Sequence, residues 1–143
     1  MKFSIITPSL NQLDYLKRCI ASVADQRGVE VEHIVMDGGS TDGTVEWLEV
    51  ATERYSTDTY QLSSVSEADE GMYEALNKGF DRASGDVFSW LNCDEQYLPW
   101  TLQEVADYFA RHPDIDFACG NTLMLDLDGK LLTFRKNPHL RKV

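Results

Sequence analysis

Residues 32–44 read Glu32-His33-Ile34-Val35-Met36-Asp37-Gly38-Gly39-Ser40-Thr41-Asp42-Gly43-Thr44. An apolar run, His33 to Met36, stops at an acid. A loop of glycine and hydroxyl residues follows. Val45, Leu48 and Ala51 then recur at helical spacing. The order is strand, loop, helix. Gly38 and Gly39 permit close backbone approach and unusual φ values. Ser40-Thr41 stands where a helix cap is wanted, and a helix N-terminus favours negative charge. Taken alone, the loop could be no more than a tight strand-to-helix turn. It is not a calcium loop of the EF-hand type, because the third position from Asp37 is Gly39 and the sixth is Asp42 instead of glycine.

The same order recurs on both sides. Phe3 to Thr7 is a continuous apolar run, as in a strand covered on both faces, and Pro8-Ser9 breaks it. A helix is predicted after Asn11, with Asn11 as N-cap, Asp14 near the positive end of the helix dipole, and Leu13, Leu16, Ile20 and Val23 as the apolar stripe. Tyr60 to Val65 reads as a weaker strand. Met72, Leu76 and Phe80 mark a helix over 71–83. Val87 to Leu91 is the most apolar strand. Pro99 suits the first position of a helix running towards His112-Pro113, with Leu102, Val105 and Phe109 inward. Phe117 to Leu125 and Lys130 to Phe134 flank an Asp-Gly turn, which predicts a hairpin. Alternating strands and helices point to an α/β fold with a mostly parallel sheet, ending in that hairpin, as one domain over 1–143.

Loops that follow parallel strands share one edge of the sheet, where ligands bind. That edge collects Pro8-Ser9-Leu10-Asn11, Asp37-Gly38-Gly39-Ser40, Glu67-Ala68-Asp69 and Asn92-Cys93-Asp94-Glu95. So many acids cannot take a bare phosphate. They can where a divalent cation, Mg2+ or Mn2+, stands between, because such ions combine one or two carboxylates with substrate phosphate oxygens. Asp94 with Glu95 or Asn92 suits that role. Asp37 suits the N–H of a nucleobase or the hydroxyls of a ribose.

Composition narrows the partners. The chain has 143 residues, 43% of them hydrophobic, and a formal net charge of -11. Such acidity argues against nucleic acid as partner. The end is different: Lys130, Arg135, Lys136, Arg141 and Lys142 stand without an acid after Lys130, as a solvated tail or as a surface for an anionic or membrane-bound partner. Cys19, Cys93 and Cys119 suggest neither a zinc site nor a disulfide framework. With no signal-peptide pattern and no membrane-length apolar run, the expectation is a cytoplasmic protein, with peripheral association at the inner membrane face left open. The three histidines are scattered and offer no triad. Cys93 is a poor nucleophile candidate, since neighbouring acids oppose thiolate formation.

With these residues in view, the chain resembles the family 2 glycosyltransferases of GT-A fold, particularly bacterial members that build surface polysaccharides. The resemblance is carried by "SIITPSLNQLDYLKRCIASV", "EHIVMDGGSTDGT" and "SEADEGMYEALNKGFDRASGDVFSWLNCDEQYLP", in that order. It implies inverting transfer from a nucleotide-diphosphate sugar, most often a UDP-sugar, to a glycan or lipid-linked acceptor, with Mn2+ or Mg2+. Thr7, Pro8 and Ser9 would line the nucleotide pocket, with Asn11 and Gly38-Gly39-Ser40 alongside. Asp37 would bind the base. Asp69, Asn77 and Lys78 would lie near the sugar or diphosphate. Asn92-Cys93-Asp94 occupies the DxD positions, with Asn92 in place of the first Asp, and Asp94 would be the metal ligand, helped by Glu95. Family members continue beyond the equivalent of Val143 into the segment that carries the acceptor site and the general base. The expectation is therefore the donor-binding part alone.

Two rivals follow. One is a non-catalytic nucleotide-sugar-binding module. The other is a phosphorelay receiver, which needs an Asp at the end of a central strand and a Lys ending a later one. Tyr60–Val65 instead ends in Ser66-Glu67, and no suitable Lys ends Phe117–Leu125. A truncated sheet would also expose an edge, so a homodimer through the hairpin is a further expectation.

Overall fold

The computed structural model describes residues 1–137. His139, Arg141 and Lys142 of the basic end lie outside the described residues. The chain divides into two compact units, Met1–Ala106 and a second from Asp107 onward.

The first unit holds β1 (Lys2–Ser9), α1 (Leu13–Ala24), β2 (Glu30–Asp37), α2 (Thr44–Tyr55), β3 (Tyr60–Ser66), α3 (Met72–Phe80) and β4 (Val87–Trp90). The strands form one parallel sheet in the order β3-β2-β1-β4. The chain winds outward from β1 to β3, then returns to add β4 on the far side of β1. The direction of winding thus reverses at β1, which places a crevice outside the carboxyl ends of the strands. Register aligns those ends: Ser9 pairs with Asp37, and Asp37 with Ser66.

Side-chain alternation along each strand builds two cores. Phe3 and Ile5 of β1, with Val31 and Val35 of β2, meet Leu16, Ile20 and Val23 of α1 and Leu48 of α2 on one face. Ile6, Ile34 and Met36 point the other way, onto Ala75 and Leu76 of α3. Of the stripe foreseen for α1, Leu16, Ile20 and Val23 are buried, with Cys19 added, while Leu13 is only half-buried. Gly79 brings α3 close to the sheet, since a Cβ there would stand 2.5 Å from Ile6 Cγ2.

Three local expectations are corrected. Pro8 does not end its strand, because β1 runs to Ser9. Lys2 O and Ile6 O accept from Asp86 and Leu91 on the β4 side. Pro8 shares their parity, so its nitrogen faces the side where β4 has already stopped, and no ladder bond is lost. Secondly, β4, though the most apolar strand by sequence, is not buried along its length. Phe88 and Trp90 are 55% and 52% exposed, and β4 is an edge strand that pairs only with β1 among the described residues. Thirdly, α4 (Thr101–Arg111) begins after Pro99, which sits in the Leu98–Thr101 turn. The amide of Leu102 is instead satisfied by Gln26 Oε1 at 3.0 Å.

The second unit contains the expected antiparallel hairpin, β5 (Thr122–Leu125) and β6 (Leu131–Arg135). Asp126 Oδ1 accepts from the amides of Asp128 and Lys130 and so shapes the turn. No helix among the described residues is long and apolar enough to cross a membrane.

Candidate functional site

Four loops meet at the carboxyl edge. Asp37, at the end of β2, is only 1% exposed. Its Oδ2 accepts from the amides of Gly39 (3.1 Å) and Ser40 (2.9 Å) and from Ser66 Oγ (2.7 Å), while Oδ1 accepts from Ser40 Oγ at 2.5 Å. Ser40 Oγ in turn accepts from the amide of Asn11 at 2.7 Å. One buried carboxylate thus ties the loop after β1, the loop after β2 and the end of β3.

A second brace runs through Asp42. Its carboxylate accepts from the amide of Leu13 (3.0 Å) and from Thr44 Oγ1 (2.6 Å), joining the starts of α1 and α2. The Thr44 hydroxyl and the Leu13 amide hold the Asp42 carboxyl below its usual range. The capping expectations change accordingly. Asn11 is not the N-cap of α1. It adopts a left-handed conformation, φ 52°, and its Oδ1 accepts from the amide of Thr41 at 2.8 Å. Asn tolerates that region better than most residues. Neither Ser40 nor Thr41 caps α2, whose cap position is Gly43, φ 91°.

After β3, Asp69 is half-buried. Its Oδ1 accepts from the amide of Gly71 at 2.8 Å. Its Oδ2 lies 3.1 Å from the point a Cβ on Gly38 would occupy. Lys78 is engaged elsewhere: its ammonium sits 2.9 Å from Glu67 and 3.0 Å from Glu74, which raise its pKa. Asn77 is exposed and lines a depression of about 270 Å³ with Met72, Tyr73 and Trp90.

After β4, the chain turns at Asn92–Glu95. The amide of Glu95 donates to Asn92 O (2.9 Å), and Glu95 Oε2 accepts from the amide of Asn92 (3.0 Å). Asp94 is exposed. Asn92 Oδ1 and Ser9 Oγ are buried polar atoms without a partner. Native interiors rarely leave such atoms unsatisfied, so each invites a ligand atom.

Two expected pocket residues turn their side chains inward. Thr7 is buried, its Oγ1 2.9 Å from His33 Nε2, so only its backbone reaches the edge. Cys93 packs into the larger core and donates to Gln12 Oε1 at 3.6 Å. Burial pushes its thiol up, as does the charge of Asp94. The Ser9 hydroxyl alongside partly offsets this, although the two side chains do not meet hydrogen-bond geometry. Both effects oppose a nucleophilic role.

Sequence reasoning missed Ser66 and Asp42. Ser66 could have been found from register alone, because it ends β3 as Asp37 ends β2. The double use of Asp42 depends on α1 and α2 starting side by side and leaves no local signal.

Among the described residues, no group of three or more His, Cys, Asp or Glu gathers to hold a metal. The donors of the Asn92–Glu95 turn are nevertheless hard oxygens. An exposed carboxylate at Asp94 and an unpartnered Asn92 Oδ1 fit a cation that draws its remaining ligands from substrate phosphates and water.

Residues 4–138 match glycosyl transferase family 2. The chain belongs to that family. Among its relatives is a PGL/p-HBAD biosynthesis glycosyltransferase of Mycobacterium bovis, 33% identical over 123 residues, which cover 85% of this chain and 47% of the relative. An uncharacterized glycosyltransferase of Mycobacterium tuberculosis is 40% identical over 95 residues, 66% of this chain and 34% of the relative. The family 2 chain therefore spans half or less of the length of these relatives. Its fold is that of S. aureus TarS 1–349 in complex with UDP-GlcNAc, with TM-score 0.68 and 26% identity over 79% of this chain and 32% of that one. It is likewise the fold of the mannosyltransferase PcManGT from Pyrobaculum calidifontis in complex with GDP-Man and Mn2+, with TM-score 0.68 and 23% identity over 83% and 34%.

Proposed function

We propose that this family 2 chain is the donor-binding part of an inverting glycosyltransferase that takes a sugar from a nucleoside diphosphate, most often uridine diphosphate, for cell-envelope glycan synthesis. One observation carries the reading. Asn92 Oδ1 is a buried acceptor with no partner, and Asn92 stands two residues before Asp94, whose carboxylate is exposed. That arrangement suits a cation–diphosphate group better than a solvated turn. The complex of TarS with UDP-GlcNAc supports it from outside the chain.

In this reading Asp94, with Asn92 or Glu95 beside it, holds Mn2+ or Mg2+. The ion supplies neutralisation of the diphosphate, whose charge grows as it leaves. Glu95 also keeps the turn closed through the Asn92 amide. The backbone at Thr7–Ser9 and the loop at Gly38–Ser40 line the nucleoside end. The general base and the acceptor site are taken to come from another segment, and the acceptor is a glycan or a lipid-linked sugar.

Calorimetric titration with UDP, GDP and dTDP tests this, first with Mn2+ and then with EDTA. At least one should bind with Mn2+ and weaken at least 10-fold with EDTA. Asp94→Ala should weaken it similarly while melting within about 2 °C of wild type, since the side chain is exposed. No nucleotide binding, or full binding by Asp94→Ala, overturns the reading.

A further inference from the structure

Asp94 stands on neither a helix nor a strand. The chain from Leu91 to Trp100 joins β4 to α4 without regular structure. A free loop of that length would spread the carboxylate over many positions, and each binding event would have to order it again. Three pins prevent this. The Leu91 amide donates to Ile6 O at 3.0 Å, and Leu91 is buried. Cys93 packs into the same larger core. Tyr97 is the third: its ring packs against that core, and its Oη is 3.1 Å from Ser89 Oγ, eight residues back on β4. Ser89 Oγ can donate to Trp90 O at 3.4 Å, which leaves it free to accept from the phenol. The two legs of the loop are thus clasped at their base, as in compact surface loops whose ends lie close. Between the pins only Asp94, Glu95 and Gln96 are exposed.

The clasp is itself anchored on α1. The Tyr97 amide donates to Ser22 Oγ at 3.2 Å, and that hydroxyl spends its own hydrogen on Cys19 O at 2.8 Å. Gln26, just beyond the end of α1, donates from Nε2 to Leu98 O at 2.8 Å and accepts at Oε1 from the Leu102 amide at 3.0 Å. The start of α1 follows the loop after β1, at the carboxyl edge. One helix therefore ties the far leg of the loop after β4 to the loop after β1.

Resting on the donor reading above, we infer that Tyr97 is a positioning residue for the cation: clasped to Ser89 and anchored on Ser22 of α1, it holds the loop closed so that Asp94 keeps one place at the edge. Tyr97 touches neither ion nor nucleotide. It acts by raising the fraction of molecules in which the loop is ready to bind.

The test follows Mn2+ binding by the loss of the free-ion electron paramagnetic resonance signal, with whichever of UDP, dTDP or GDP wild type binds at saturation. Tyr97→Phe keeps the ring and removes only the hydroxyl. It should weaken Mn2+ roughly 3- to 10-fold, as for the loss of one hydrogen bond. Ser89→Ala should do the same, and the double variant should be no weaker than either, because both remove one contact. Glu32→Ala loosens the opposite end of the sheet, where Glu32 accepts from Ser4 and Ser84, and should leave Mn2+ affinity unchanged. Circular dichroism melts confirm that the variants fold. A loss below threefold in Tyr97→Phe, an equal loss in Glu32→Ala, or losses that add in the double variant overturn the inference and leave the donor reading intact. If wild type binds no Mn2+ with any of the three nucleotides, both fall.

Discussion

His33 Nε2 stands 2.9 Å from Thr7 Oγ1, in the interior between β2 and β1. The other ring nitrogen is 2.8 Å from Tyr60 Oη on β3. One imidazole thus bridges three adjacent strands through hydroxyls. Burial pushes its pKa down to about 3, so it is neutral when folded.

That depression makes stability depend on pH. The unfolded histidine titrates near 6.5 and the folded one near 3, so the unfolded state binds more protons in between. The contribution is full above about pH 6.5 and falls as pH drops towards 3. Urea unfolding at pH 5 should show about 2 kcal/mol less stability than at pH 7, from some 1.36 kcal/mol per pH unit. His33→Gln should be less stable at pH 7 but lose most of the slope between pH 7 and pH 5. An unchanged slope would remove His33 as its source.

At the opposite end of the sheet, Glu32 accepts from Ser4 Oγ (2.6 Å), the Ser84 amide (2.8 Å) and Ser84 Oγ (2.8 Å), with Lys2 Nζ at 3.3 Å. Burial alone would raise its pKa, but these donors outweigh it and hold it at about 2. The group latches the turn before β4 onto β1 and β2. Glu32→Ala should cost about 1–2 kcal/mol in urea unfolding, chiefly by leaving the buried Ser4 hydroxyl without an acceptor for its proton, although it still accepts from the Gly85 amide. Amide exchange at Ser84 and Gly85 should quicken; unchanged exchange there would argue against the latch.

Asp37→Asn replaces a carboxylate by an amide that can accept at only one of its two atoms. The donors Gly39, Ser40 and Ser66 then compete for one oxygen. A loss of about 1–3 kcal/mol is expected, with faster hydrogen exchange across 38–43. A stability like that of wild type would mean that the four bonds to Asp37 are not what shapes the loop.

Gly79→Ala sets two effects against each other. Helix propensity favours alanine by about 1 kcal/mol. The new Cβ, however, would lie 2.5 Å from Ile6 Cγ2 and 3.2 Å from Met36 Cγ. Overpacking of that kind costs about 1–3 kcal/mol, so the melting temperature should fall. Adding Ile6→Val should restore part of the loss by shortening the opposed side chain. A raised melting temperature for the single variant would show that α3 can shift away.

Much of the site could be read from residue order. A strand ending at Asp37 before glycines, another ending ahead of Asp94, and helices between them already required four loops on one edge, because parallel strands joined by helices all end on the same side. The residue types also pointed to oxygen chemistry. What each side chain does there could not be read in the same way. Asp37 looks like a ligand group until Ser66, 29 residues later, is found donating to it. Lys78 looks free to meet a phosphate until Glu67 is found beside it. Thr7 and Cys93 sit in the right stretch yet face the core.

The sequence by itself determined the α/β order, the family and the edge on which the chemistry lies, since these follow from local periodicity and from the residues that interrupt it. Only the tertiary structure decided which acids are spent and which remain open. That depends on hydrogen bonds between strands and loops distant in the chain, where register brings Ser66 to Asp37 and the absence of a side chain at Gly38 lets Asp69 approach the loop after β2.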